Sequence, residues 1–164
     1  MVDQLIRDIA IGRRNPQTTD LQRIRDHVAD APFNEQMIRS YPDIIGSSYQ
    51  GKIVQERDTS AFVHLVQRVL VDEQWAYGTT LEKYLADLQE VARDHRSALA
   101  VYDRGRGAVA TFVGPNHVPG ERLGIESEST IVVVYAPDRR SIITGYQASS
   151  PERVDIPGDA KWLT

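Results

Sequence analysis

Ser129-Thr130-Ile131-Val132-Val133-Val134-Tyr135, then Ala136-Pro137-Asp138-Arg139-Arg140, then Ser141-Ile142-Ile143-Thr144-Gly145-Tyr146-Gln147-Ala148 is the stretch whose reading decides the fold. β-branched and aromatic residues fill both flanks, and Pro-Asp punctuates the middle, so the segment reads as an antiparallel hairpin. Ile131 to Val134 is apolar at consecutive positions, which predicts a central strand covered on both faces. Thr144 and Tyr146 stand two apart and so face one side of their strand, together with Ile142 and Ala148, while Gln147 projects from the other.

Immediately upstream, Ala98 to Tyr102 and Ala108 to Val113 flank Asp103-Arg104-Gly105-Arg106-Gly107, whose glycines suit a tight turn. These form a second hairpin, making roughly four strands. A Pro- and Gly-containing stretch from Gly114 to Ser127 joins the two hairpins, either as a binding loop or as a plain crossover. The tail carries Pro157-Gly158 and then Trp162-Leu163, and the apolar pair predicts that it folds back.

Helical periodicity dominates the first half. Thr79-Thr80-Leu81-Glu82 matches a capping box with Thr79 at the N-cap, opening a helix to about His95 with Leu81, Tyr84, Leu85, Leu88, Val91 and Ala92 on its inner side. A helix over 60–71 buries Phe62, Leu65, Val66, Val69 and Leu70 and leaves Ser60, His64, Gln67 and Arg68 as a polar stripe. Leu21, Ile24, Val28 and Ala29 mark another helix, a short one is expected over 34–40, and 49–57 reads as extended. Trp75 and Tyr77 are expected to pack over the core edge. Residues 1–19 read as an arm carrying Leu5, Ile6, Ile9 and Ala10, docked on its own domain or on a second subunit. Helices first and strands afterwards define an α+β domain over 20–164, its N-terminal helices packed on an antiparallel sheet.

Composition narrows the function classes. The chain has 164 residues, 41% hydrophobic and 26% charged, which suits one globular domain. No apolar run is long enough for a membrane span or a typical signal peptide, and cysteine is absent, which removes thiolate chemistry and fits a cytoplasmic protein. No histidines are spaced as a metal pair, so neither metal nor cofactor is expected. A net charge of −4 argues against a generic nucleic-acid coat, and no DNA-specific motif occurs, although a local basic groove is compatible with it.

Few residues carry chemistry. His64 and Arg68 are helical neighbours, either a solvated polar face or an acid/base group beside an oxyanion holder. Thr144 and Tyr146 are either good strand formers or a hydroxyl pair aimed at phosphate. His95 suits the C-terminal carbonyls of its helix, His27 reads as a surface residue, and Glu126 with Glu128 as solvated carboxylates.

Helices bearing a His/Arg stripe, followed by an antiparallel sheet whose last strand holds Thr144-Gly145-Tyr146, resemble the metal-independent RNases of the barnase, EndoU, colicin and RelE superfamily, common as bacterial toxin domains. The likeness is one of pattern over about 60–148. It implies an endoribonuclease-like domain that cleaves RNA by 2′-hydroxyl transesterification, with His64, Arg68, Thr144 and Tyr146 catalytic and His117, Lys52 and Arg140 binding substrate. The competing expectation is a non-catalytic protein-interaction module or accessory protein, able to form a homodimer through the arm or the sheet edge.

Overall fold

The computed structural model describes residues 1–39, 41–118, 128–149 and 154–163. Four helices, α1 (Val2–Ala10), α2 (Asp20–Ala29), α3 (Ser60–Val66) and α4 (Leu81–Arg93), pack on a five-stranded antiparallel sheet. Its strands are β5 (Ala98–Asp103), β6 (Ala108–Pro115), β7 (Thr130–Ala136), β8 (Ser141–Ala148) and β9 (Lys161–Leu163), in the order β8-β7-β6-β5-β9. Four short strands stand apart: β1 (Met37–Arg39) pairs with β4 (Arg57–Thr59), and β2 (Ser48–Tyr49) with β3 (Lys52–Ile53). The α+β class and both C-terminal hairpins are those expected. The fifth strand is the folded-back tail, where Leu163 is buried and Trp162 remains 48% exposed.

Alternation divides the sheet residues between two layers. Leu99, Val101, Ala110, Phe112, Ile131, Val133 and Tyr135 meet the helices, while Val113, Val132 and Tyr146 pack on the opposite face against Val154 and Ile156. Ile131, Val132 and Val133 are consequently all inaccessible, so their apolar run does mark a strand covered on both sides. The N-terminal segment is docked on its own domain, with Leu5, Ile6 and Ile9 of α1 buried against β5 and β6.

Five local expectations need correction. Residues 37–39 form a strand, because a seven-residue helix gains too few hydrogen bonds to repay nucleation, whereas Met37–Arg39 gains a partner in Arg57–Thr59. Residue 40, the end of that expected helix, lies outside the described residues, as do residues 119–127 of the inter-hairpin loop, including Glu126. The N-cap of α4 is Thr80, whose hydroxyl accepts from Lys83 N–H, while Thr79 donates to Ala76 C=O. Arg25, not His95, satisfies the carbonyls after α4, donating to Asp94 at 2.6 Å and Ser97 at 2.7 Å. Tyr77 is exposed although Trp75 is buried, its indole N–H donating to Asp87 at 3.0 Å.

The fifth correction concerns β8. Val134 pairs with Thr144 but Tyr135 pairs with Ile142, so Ile143 is an extra residue and the strand bulges there. Ile142 therefore sits in the helix-side core while Tyr146 belongs to the opposite face, and the shared face expected for them does not exist. The open edge of β8 is covered along its length. Ile142 exchanges backbone bonds with Pro32 and Asn34, Tyr84 and Arg68 donate to Gly145 C=O, and the Gln74 amide pairs with the Gln147 backbone like a mock strand residue.

Candidate functional site

Thr59 begins α3 by accepting from Phe62 N–H, after which Ser60 and His64 fall on the side that meets β8 and β1. The polar stripe is thus not a solvated face: Ser60 is 1% exposed and His64 9%. Residues 67–71 then widen into a π-helical turn from which Arg68 reaches the sheet edge.

Every arm of the Arg68 guanidinium is occupied. Nε donates to Gly145 C=O, one terminal nitrogen to Asp72 Oδ2 and the other to Thr144 Oγ1, each at 2.8 Å. The guanidinium also lies 5.4 Å from the Tyr146 ring centroid. Burial acts to lower its pKa, but Tyr84 and Asp72 outweigh burial and hold it above its usual value. Arg68 joins the π-helical turn after α3 to β8 as a permanently charged brace, so a role as phosphate partner does not fit its contacts. Burial, then the Tyr102 hydroxyl, raises the Tyr146 pKa, and its ring packs beside Arg68.

His64 is neutral and oriented. Its Nδ1 lies 2.9 Å from Ser60 C=O, which only an N–H can satisfy, so the lone pair sits on Nε2. Tyr41 Oη is 3.5 Å from that nitrogen. Burial first, and then the Arg68 charge, push the imidazole down to about 4. His64 and Thr144 line one cleft of about 420 Å³, which Arg104, Arg106 and Arg139 line as well.

Those arginines arrive from two turns, Asp103–Gly107 and Pro137–Arg140. Among the described residues none of the three forms an ion pair with a carboxylate. Partial desolvation and the like charges of Arg106 and Arg139 press the Arg104 guanidinium below its usual value. Arg139 is steered by Gln36, whose side-chain oxygen accepts from it. Such a cluster attracts an anion. No sequence run reveals it, because each turn alone is a small basic group among acidic neighbours. An up-and-down order of four strands nevertheless puts the first and third turns at the same end of a sheet, and that was the available signal.

The structure thus brings His64, Arg68, Thr144 and Tyr146 into one contiguous cluster, and leaves the other three expected residues outside it. His117 follows β6 at the end that pairs with Thr130 and Ala148, away from Ser141–Thr144, with Nε2 3.7 Å from Asp87. Lys52 is paired with Asp58 at 3.0 Å and lies 4.5 Å over the Phe62 ring. Arg140 lines a different cleft of about 510 Å³, beside His27 and Tyr135. His27 is no plain surface residue either. Its Nε2 lies 2.8 Å from Tyr135 Oη and 3.1 Å from Asp3, and Tyr135 donates to the same carboxylate at 2.7 Å.

Among the described residues, no cluster of three His, Asp or Glu side chains is placed to hold a metal, and no helix is long and apolar enough to cross a membrane. Comparison with protein-family models, curated proteins and solved structures finds no match to this chain.

Proposed function

We propose that the cleft between α3, β1 and the two arginine-bearing turns binds RNA, and that the chain is a metal-independent endoribonuclease-like domain. One observation carries the reading: a neutral histidine with its Nε2 lone pair free of a covalent proton shares a cleft with three arginines that have no carboxylate ion-pair partner among the described residues. Arg104, Arg106 and Arg139 would neutralise the scissile phosphate, replacing Arg68 in that role, and the Thr144 hydroxyl would donate to a non-bridging oxygen while Arg68 fixes its position.

In the reaction, His64 Nε2 takes the proton of a ribose 2′-hydroxyl as O2′ bonds to the adjacent phosphorus. The P–O5′ bond breaks, the 5′-oxygen takes a proton from solvent, and a 2′,3′-cyclic phosphate remains. A base held at about 4 is weak, and an anionic phosphate beside it raises its proton affinity, so the chemistry depends on the substrate being bound.

Burial of His64 also supports a second reading, an RNA-binding or protein-interaction module that does not catalyse. Total RNA and tRNA incubated with the protein in EDTA separate the two. Wild type is expected to give cyclic-phosphate ends and His64→Ala to lose more than about a hundredfold in rate while still binding RNA. Inert wild type overturns the enzyme reading.

A further inference from the structure

The cleft holding His64 does not end at its arginines. Arg104, Arg106 and Arg139 also line an adjoining cleft of about 480 Å³ at the same two turns. Its remaining walls are small, Gly107, Ala108 and Ala136, and its carboxylate, Asp138, is already held by Arg7 Nε at 2.9 Å. Gly107 has φ +132, a backbone conformation that favours glycine, and it sits close to the Asp138 carboxylate, where a Cβ would stand 2.7 Å from Oδ2 and require that side chain to shift. Arg104, Arg106 and Arg139 thus form a wall shared by the two clefts.

From this we propose a second phosphate subsite in the adjoining cleft, so that the ligand is an oligonucleotide strand laying consecutive phosphates on either side of the arginine wall. The proposal rests on the RNA reading of the first cleft and extends it from a single phosphodiester to a chain. A lone phosphodiester occupies the His64 side, and the neighbouring phosphate crosses to the Gly107 side. Asp138 is the residue that limits affinity there, since its charge is only partly offset by Arg7, and both side chains are solvent-accessible.

Isothermal titration with two end-blocked adenosine oligonucleotides in EDTA tests this, using His64→Gln to prevent turnover. One probe has a single phosphate and the other has two. The two-phosphate probe is expected to bind about tenfold tighter, with a salt slope steeper by roughly 0.7, the single-strand value per phosphate. Asp138→Lys is expected to tighten the two-phosphate probe severalfold and the one-phosphate probe by less than twofold. Equal affinities and equal salt slopes for the two probes overturn the second subsite and leave the first cleft standing. If neither these probes nor a longer RNA binds at low salt, the RNA reading itself falls.

Discussion

Two of the clefts at the β7–β8 turn differ in what their charges are doing. The larger, of about 510 Å³, holds the carboxylates Asp3 and Asp30 with Arg7, His27, Tyr135 and Arg140. His27 and Tyr135 converge on Asp3, Arg7 reaches out to Asp138 of the neighbouring cleft, and Arg140, without an ion pair among the described residues, still shares its cleft with two carboxylates. The smaller, of about 420 Å³, holds Arg104, Arg106 and Arg139 with no carboxylate partner among the described residues, beside a histidine stripped of its charge. The first arrangement joins α1 and α2 to β7. The second has charge to spare, and that unbalanced charge, rather than cavity size, is what recommends it as a site.

Paired cations should therefore report in stability and unpaired ones in binding. Arg68→Met removes the brace that ties β8 to the turn after α3 and strands the buried groups it served. A loss of about 3 kcal/mol is expected in denaturant unfolding, with RNA affinity changed less than about twofold. Arg106→Gln, by contrast, should move stability by under about 0.5 kcal/mol. A stable Arg68→Met protein with tenfold weaker RNA binding would return Arg68 to the ligand-facing group and blur the contrast.

His64 sharpens the comparison through pH. Its folded pKa, about 4, lies below the 6.5 of an unfolded histidine, so the unfolded chain binds the extra proton first as pH falls. Its contribution is fully present above about pH 6.5, declines between there and pH 4, and is lost below. At about 1.4 kcal/mol per pH unit the gap sets an upper bound of about 3 kcal/mol. Unfolding free energies of wild type and His64→Gln measured from pH 7 to pH 4 should diverge by this route, and parallel curves would mean that His64 is not held neutral by burial.

Much of the fold was legible because its periodicities are strong. The run Ile131 to Val134 needs cover on two faces, and the spacing of Tyr84, Leu88, Val91 and Ala92 needs a helix. What escaped was non-local. The bulge at Ile143, which separates Ile142 from Tyr146, leaves no trace in strand-forming residues. Short segments such as 37–39 take their conformation from a partner about twenty residues away. His64 and Arg68 were recognisable as helical neighbours, but burial gave Arg68 a structural task that its sequence spacing could not announce. The arginine wall exists only once two turns are brought to one end of the sheet, and Arg140, adjacent in sequence to Arg139, falls into the other cleft.

That adjacency supplies the most direct measurement. Binding of a fluorescent single-stranded RNA at low salt in EDTA is to be compared for wild type, Arg104→Gln/Arg139→Gln and Arg140→Gln, with thermal unfolding as a check on folding. The double variant is expected to lose at least about tenfold in affinity and to show a shallower salt slope, whereas Arg140→Gln stays within about twofold of wild type. Equal losses in both variants, or none in either, would contradict the assignment of RNA binding to the arginines of the His64 cleft.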